Sequence, residues 1–279
     1  MNKKTAANTY TAETETLLKD VRSDISEGQL ETALRKLESL IGKIESFYDS
    51  HDDAAFDNHV FDEPFEKVLY VFRNAPEKKV REIGLPATEI YLLCGNLLCE
   101  MQRYEEARDV LKKGLHRDPV SFRLTAGYLD TFKAGGDLET FFRLTLDAFK
   151  LAFRPAYVAA CFRNLGYYFE EKQLYPEAVT VYSLSLPYDK ESGPAEAALL
   201  RIREKTGGEL PEPSAEQIAA YAERYGFPLS AEQGIPELAA SCGKRFLEQG
   251  DTDSAAYFLT IAYELSHDRE IRELLEQLP

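Results

Sequence analysis

The feature that most constrains the fold of this 279-residue chain is a glycine placed inside each of three apolar stretches. The three positions are Gly95, Gly166 and Gly243. Glycine in a helix interior costs roughly 1 kcal/mol relative to alanine, so close approach of a neighbouring helix is the expected compensation. The pattern therefore predicts three places where two helices pack at short distance.

Each glycine is followed, after a turn, by a small alanine and by a large residue four positions later. The pairs are Ala107 with Leu111, Ala178 with Tyr182, and Ala255 with Leu259. On a helix this spacing puts both side chains on one face, so the alanine indicates a helix crossing and the large residue fills the space one turn on. A two-helix unit cannot bury its own apolar face, so such units stack on one another.

Taken together, these positions resemble the tetratricopeptide repeat, a helix-turn-helix unit of about 34 residues. The resemblance is carried by Tyr91-x-x-Cys94-Gly95-x-x-Leu98 with Ala107, Leu111 and Pro119, by Phe162-x-x-Leu165-Gly166-x-x-Phe169 with Ala178 and Tyr182, and by Cys242-Gly243-x-x-Phe246 with Ala255 and Leu259. It implies an all-α fold, a right-handed superhelical solenoid of such repeats. The order of the segments is also similar to that of uncharacterised bacterial tetratricopeptide repeat proteins.

The organisation of the chain follows from where this pattern is clear and where it weakens. No stretch has strand periodicity, so no β-sheet is expected. The expected parts are a disordered tail at 1–12, an N-terminal helical hairpin with a connecting segment at 13–86, core repeats at 87–191, and C-terminal repeats with a capping helix at 192–279. Within the core, the repeat at 122–153 is divergent because Phe141 stands where the small alanine should be. A residue of that size is expected to splay the helix pair or shift its register.

The net charge and the hydropathy of the chain exclude some classes of binding partner and predict where the protein is located. The formal net charge of −15 argues against binding of nucleic acid, whose phosphates would be repelled, and against anionic membrane surfaces. No window approaches the ~20 consecutive apolar residues that span a bilayer. A signal peptide has an apolar run after its basic start, and no such run follows the basic residues of Met1–Lys4. A soluble cytoplasmic protein is expected.

Motifs that carry chemistry are not found in the sequence. It lacks a nucleophile elbow, a glycine-rich phosphate loop and a CxxC pair, so no catalytic residue, metal or cofactor is expected. The cysteines Cys94, Cys99, Cys161 and Cys242 lie inside helical patterns and are interpreted as small buried hydrophobes. The His/Asp cluster within 51–59 and the acidic pairs at 105–106 and 170–171 are interpreted as solvated.

A binding surface is instead suggested by the resemblance, because repeats of this family line a concave groove with exposed positions of their first helices. Those positions hold Asn96, Arg123, Lys133, Arg163, Asn164 and Tyr167. Basic and amide side chains in an otherwise acidic chain suit an extended protein or peptide ligand that is acidic or carboxylate-terminated. The subclass that clamps the carboxylate tails of heat-shock chaperones is disfavoured. Its signature positions hold Leu92, Asn96, Gly127, Ala160 and Asn164, of which only Asn96 fits.

Two functions of different kinds follow from the sequence. The preferred one is a non-catalytic scaffold that binds a protein or peptide segment on the concave face of the repeats. The alternative is a regulatory or assembly subunit that acts through surface pairing or self-association, without a peptide ligand. An enzyme is the third and least favoured interpretation, and nothing in the residues identifies the partner.

Overall fold

A computed structural model describes residues 3–50, 54–189, 193–210 and 212–278 of the chain. It divides into two compact units, Met1–Asp137 and Leu138–Pro279. The described residues form antiparallel helix pairs with one small sheet, so the predicted all-α, helical-repeat fold is confirmed. The right-handed sense of the superhelix stays a prediction.

The first unit contains six helices and two short strands among its described residues. In chain order they are α1 (Lys3–Ser26), α2 (Leu30–Ser50), β1 (Phe56–His59), α3 (Pro64–Asn74), β2 (Lys79–Glu82), α4 (Ala87–Glu100), α5 (Tyr104–Arg117) and α6 (Phe122–Ala134). Helix α2 packs on both α1 and α4, and α5 packs between α4 and α6. The β1–α3–β2 segment is thus inserted in the chain between two ordinary helix pairs.

The second unit contains eight α-helices among its described residues, with a short 3-10 turn after α7 and another after α9. The helices are α7 (Leu138–Ala148), α8 (Pro155–Glu171), α9 (Tyr175–Ser185), α10 (Gly193–Lys205), α11 (Ala215–Tyr225), α12 (Gly234–Glu248), α13 (Thr252–Ser266) and α14 (Arg269–Glu276). The most extensive pairs are α8 with α9 and α12 with α13. Helix α14 begins after Asp268, whose carboxylate caps it by accepting the backbone N–H groups of Glu270 and Ile271.

The close helix approach predicted at the three repeat glycines is confirmed. A β-carbon built on each would lie only 2.5 to 2.6 Å from a side-chain atom of the large residue in the second helix. The pairs are Gly95 with Leu111, Gly166 with Tyr182, and Gly243 with Leu259. The alanines Ala107, Ala178 and Ala255 are fully buried beside them. The repeat pattern is therefore a packing rule, since the small residue on one helix makes room for the large one on the other.

The two strands contradict the expectation that the chain has no β-sheet. β1 and β2 pair in parallel, with Phe56 opposite Lys79 and His59 opposite Glu82, and α3 is the crossover between them. Parallel strands need such a crossover, and α3 packs its apolar face through Phe65 and Leu69, which are fully buried. Strand periodicity was not visible because each strand is only four residues long, too short for alternation to stand out.

Two further expectations from the sequence concern the tail at 1–12 and the divergent repeat at 122–153. Helix α1 already begins at Lys3, inside the tail expected to be disordered at 1–12, while residues 1 and 2 lie outside the described part. Extending a helix that is already nucleated costs little per residue, so the downstream packed turns can carry the helix into a polar segment. The division between the units falls between α6 and α7, inside the divergent repeat. Whether Phe141 splays that helix pair stays a prediction.

Membrane spans and metal sites can be assessed within the described ranges. No described helix combines the length and the apolar character that a membrane span requires. No group of three or more His, Cys, Asp or Glu residues among the described positions is arranged to hold a metal ion. Cys94 and Cys161 are buried as expected, whereas Cys99 and Cys242 are only half-buried. Burial raises the pKa of the Cys94 thiol to about 12.

Candidate functional site

Helices α4 and α6 approach each other closely in the first unit, and this contact shapes the predicted groove there. A β-carbon built on Gly127 would lie 2.7 Å from Cδ1 of Leu92. Asn96 follows Leu92 by one helical turn and is exposed. At this contact a glycine is needed for packing, so the position cannot also supply the side chain that a chaperone-tail clamp would require.

The two basic side chains predicted for this unit do not point freely into solvent. Arg123 donates through Nη1 to Oδ2 of Asp62 at 2.9 Å, and its side chain is about half exposed. Lys133 lies in the last turn of α6 and is half-buried. The arginine is therefore held by a carboxylate that already belongs to the chain.

The predicted groove residues of the second unit lie together on α8. Arg163 donates through Nη1 to Oδ2 of Asp189 at 2.7 Å, and both side chains are mostly covered. Asn164, the next residue, is half-buried. The ring of Tyr167 meets that of Phe141 edge to face, with 6.0 Å between the centroids. Phe141, the large residue in the place of an alanine, thus packs against one of the predicted binding side chains.

Glu170, also on α8, corrects the interpretation of the acidic pairs as solvated. Its side chain is only 6% exposed and accepts from Arg201 at 3.0 Å, Lys205 at 3.1 Å and the Tyr182 hydroxyl at 3.3 Å. Burial alone would raise the pKa of this carboxyl, but the hydrogen bonds from Arg201 and Lys205 hold the pKa below its usual range. The neighbour Glu171 is exposed, as expected. The sequence signal that was missed is the Arg-x-x-x-Lys spacing of α10, which puts both cations on one helix face.

A second ionic cluster that the sequence did not reveal lies between α2, α4 and α5. Glu45 accepts hydrogen bonds from Arg117 and from the Tyr91 hydroxyl. The Arg117 guanidinium also lies over the ring of Tyr48, with 4.0 Å between its central carbon and the ring centroid. Burial would raise the pKa of Glu45, and the donors from Arg117 and Tyr91 lower it below the usual range. Arg117, at the end of α5, thus joins the first helix pair to the second.

The histidine of the predicted solvated cluster is buried instead. His59 places Nδ1 3.1 Å from the carbonyl oxygen of Arg117 and Nε2 2.9 Å from the Tyr70 hydroxyl. A carbonyl can only accept, so Nδ1 carries the proton and Nε2 accepts from Tyr70. Burial lowers the pKa of His59, in agreement with a neutral ring. The other members at 51–53 lie outside the described residues.

Two buried carboxyl groups near α3, those of Glu66 and Asp118, form no ion pair with a described side chain. Glu66 is buried and its Oε2 accepts the backbone N–H groups of Asp62 at 2.6 Å and Glu63 at 3.0 Å. Asp118 is buried as well. Its Oδ1 accepts the N–H of Val120 at 3.3 Å, while Oδ2 has no partner among the described residues. Burial raises the pKa of both carboxyls, and the charge of Glu66 raises that of Asp118 further.

An open pocket of about 530 Å³ lies in the first unit beside the β1–α3–β2 segment. Its lining comes from α2, β1 and the end of α5. The side chains that face it are mixed in charge, with Lys78, His116 and Arg117 opposed by Asp49 and Asp57. Because the charges are mixed, the lining of this pocket does not indicate which class of ligand it would bind.

Comparisons with known proteins do not assign the chain to a family. No family model matches the chain, and no curated protein matches it. Among solved structures, PilF of Pseudomonas aeruginosa is 16% identical with a TM-score of 0.37, and the match covers 68% of this chain and 85% of PilF. YrrB, described as a TPR protein with an unusual peptide-binding site, is 14% identical with a TM-score of 0.35, covering 77% of this chain and 99% of YrrB.

A third solved structure, the thermophilic TPR protein TTC0263 of Thermus thermophilus, is 14% identical with a TM-score of 0.34, covering 68% of this chain and 97% of that protein. The helix pairs of the present chain are tetratricopeptide-like. This rests on the glycine and alanine packing described above, because structural likenesses at these TM-scores show no more than a similar local unit.

Proposed function

We propose that the chain is a non-catalytic scaffold that binds a segment of another protein along the exposed faces of its first helices. The observation that carries the proposal is the side-by-side packing of α4 and α6 at Gly127 and Leu92, which leaves the Asn96 amide exposed one turn away. An amide donates and accepts at once, so it can pair with the backbone of an extended peptide in either direction. A cytoplasmic location and the exclusion of nucleic acid remain predictions from the sequence.

The finer proposal concerns the chemistry of the bound segment, which we expect to be acidic or carboxylate-terminated. Arg123 and Arg163 already bind Asp62 and Asp189. A ligand carboxylate must therefore replace an internal one, and the gain in free energy is the difference between two similar ion pairs. Such an exchange supports modest affinity and easy release, which suits a scaffold that must let its partner go.

The experiment compares two variants that remove the same ion pair but should change the affinity for an acidic ligand in opposite directions. A partner is first recovered by affinity capture and then titrated against the wild type, Arg163→Gln and Asp189→Asn. Both variants break the same internal pair, so both should lose the same small amount of stability. If Arg163 contacts an acidic ligand, Arg163→Gln weakens binding by roughly fivefold, while Asp189→Asn strengthens it by a similar factor because the competing carboxylate is gone.

Two results would contradict this proposal. Equal weakening by both variants would mean that the ion pair only holds α8 in place. Unchanged affinity in both would move the binding surface away from α8. An Asn96→Ala variant then tests the first unit separately, since its exposed side chain is not expected to contribute to folding.

The alternative function, surface pairing or self-association, is favoured by exposed apolar side chains in each unit. Leu200 on α10 is 57% exposed and Phe72 on α3 is 62% exposed. Such side chains are ordinary when single, so the alternative needs an association measurement. Sedimentation equilibrium of the wild type against Leu200→Ser would support it if a concentration-dependent oligomer disappears in the variant.

A further inference from the structure

Strand β2 has one edge that pairs with β1 and one that does not pair with any described residue. The N–H of Lys79 bonds to the carbonyl of Ala55 and that of Ile83 to the carbonyl of His59. In a parallel ladder the bonding residues alternate, so the backbone groups of Val80 and Glu82 point to the opposite side. Two N–H and two C=O groups are thus aligned on an outer edge, which is the template that an added strand requires.

The two sides of this edge have different surroundings, and the difference can be derived from the register. The side chains of Val80 and Glu82 lie on the side of α3, where Lys67 reaches Glu82 at 3.4 Å. Val71 follows Lys67 by one helical turn, so it lies along the same side of α3. Val71 is 45% exposed and the adjacent Phe72 is 62% exposed. Helix α3 therefore presents an exposed apolar side chain, Val71, on this side of the sheet, with exposed Phe72 next to it in the chain.

The opposite side of the sheet is basic. Lys79 and Arg81 project there, and the Arg81 guanidinium lies 3.8 Å above the ring of Phe56, on the side away from α3. Lys79 is exposed and forms no ion pair with a described residue. The segment 64–82 contains five basic and three acidic residues, whereas the whole chain carries a net charge of −15. The local charge is thus opposite to that of the chain.

From these observations we infer that the outer edge of β2 binds an extended acidic segment of a partner protein by strand addition. Side chains of an added strand alternate between the two sides of the sheet. Every second residue would face Val71 and Phe72 and should be apolar, and the residues between them would face Lys79 and should be acidic. Lysines on an edge also repel basic strands, so the same side chains that attract this partner exclude others.

This surface is separate from the first-helix faces of the proposed function, and its occupant is different from a second copy of the chain. The chain as a whole is acidic, but its own edge carries the cations, so two copies of this edge would repel each other. An acidic strand from elsewhere is the occupant that the local charge favours.

The test uses fluorescence anisotropy with a labelled peptide of alternating valine and glutamate, and with the same peptide carrying lysine in place of glutamate. Two further versions carry N-methyl groups on the valine amides or on the glutamate amides. Only one edge of an added strand faces β2, so one methylated version should lose at least about tenfold in affinity while the other keeps it. The lysine peptide should not bind.

Matched variants locate the site. Lys79→Glu should weaken the glutamate peptide by roughly fivefold, whereas the exposed Lys43→Glu on α2 should leave it unchanged. Phe72→Ala should weaken it, and Leu200→Ala, at an equally exposed apolar position of the other unit, should not. Circular dichroism confirms that the variants keep their helices.

Three outcomes would overturn the inference. The first is equal binding of both N-methylated peptides, because an added strand must discriminate between its two edges. The second is no binding of the unmethylated peptide at all. The third is a dimer of the wild type that Phe72→Ala converts to a monomer, which would assign the edge to self-association. Loss of binding in Arg163→Gln would belong to the proposed function and leaves this edge untouched.

Discussion

Buried carboxyl groups have opposite environments in the repeat helices of the second unit and around the β1–α3–β2 segment of the first. Glu170 faces two cations and a tyrosine hydroxyl, and its pKa is lowered. Glu66 and Asp118 face backbone N–H groups and other carboxyls, and burial raises the pKa of both. The repeat helices of the second unit therefore neutralise a buried charge with a partner, whereas the carboxyl groups of Glu66 and Asp118 favour a bound proton.

The strongest test of the repeat side of this comparison is a charge placed at a fully buried helix crossing. Ala178→Glu introduces a carboxylate at a fully buried helix crossing. Overpacking costs roughly 1–3 kcal/mol, and an unpaired buried charge adds to it, so the second unit should lose its cooperative unfolding transition. The matched change Glu171→Ala, on an exposed position, should stay within about 0.5 kcal/mol of the wild type in urea unfolding. Equal unfolding midpoints would show that the assigned packing around Ala178 is wrong.

A smaller perturbation tests the fit between glycine and its partner without adding charge. Gly166→Ala should destabilise by about 1–3 kcal/mol, because the new methyl would lie 2.5 Å from the ring of Tyr182 unless that ring shifts. Gly42→Ala on α2 meets no atom within 4 Å and should stabilise by up to about 1 kcal/mol through helix propensity. Thermal unfolding of both variants gives the two signs, and a stable Gly166→Ala protein would contradict the packing rule.

The carboxyl groups predict opposite pH dependences for the two regions. A carboxyl whose folded pKa is raised contributes stability that is fully present below its unfolded pKa of about 4 and is lost as the pH rises through the folded value. The wild type should therefore lose stability between mildly acidic and alkaline pH through Glu66 and Asp118. Glu170, with a lowered pKa, contributes stability above about pH 4 that is lost as the pH falls below it.

Replacing these groups by their amides separates the two effects. Glu66→Gln should flatten the loss between about pH 4 and 7, and Asp118→Asn the loss between about pH 4 and 9, by about 1.4 kcal/mol for each pH unit through which one pKa is raised. Glu170→Gln should flatten only the acid loss. Urea unfolding measured from acidic to alkaline pH provides the comparison. If the free energy of unfolding of Glu66→Gln and of Asp118→Asn depends on pH as it does in the wild type, the raised pKa values are wrong.

The smallest expected effect concerns the ion pair used in the binding experiment. Arg163 and Asp189 are each about a quarter exposed on their side chains, and such a pair contributes no more than about 1 kcal/mol. Arg163→Gln should therefore lower the free energy of unfolding by less than that amount. Chemical unfolding at one pH is sufficient to measure it. A loss of several kcal/mol would make any change in binding uninterpretable as a contact with a ligand.

The sequence predicted the repeat helices well because their signal is local and periodic. Ala107 with Leu111 and Ala178 with Tyr182 could be paired from spacing alone, since helical geometry fixes which side chains share a face. The bound carboxylates of the candidate site could not be predicted in this way. Asp62 reaches Arg123 across 61 positions of the chain, and Asp189 reaches Arg163 across 26. No periodic pattern connects such distant residues, so the arginines looked available for a ligand.

The inserted segment was missed for a different reason. Its strands are short, and their parallel pairing joins residues on either side of a helix rather than across a turn. Hairpins leave a turn motif in the sequence, whereas a parallel crossover leaves none. The buried His59 likewise looked solvated because its neighbours in sequence are acidic, while its neighbours in space are Tyr70 and the end of α5.

The carbonyl of Arg117 has a consequence for how local motions of the first unit can be observed. A helix leaves its last carbonyl groups without helical partners, and this one accepts the backbone N–H of Val60 at 3.0 Å as well as the proton of His59. The amide of Val60 can then exchange its hydrogen with solvent only when the inserted segment leaves the end of α5. The hydrogen-exchange rate of this amide therefore measures how often the segment detaches. Slow exchange would mean that β1, the end of α5 and the repeat core open together as one cooperative unit.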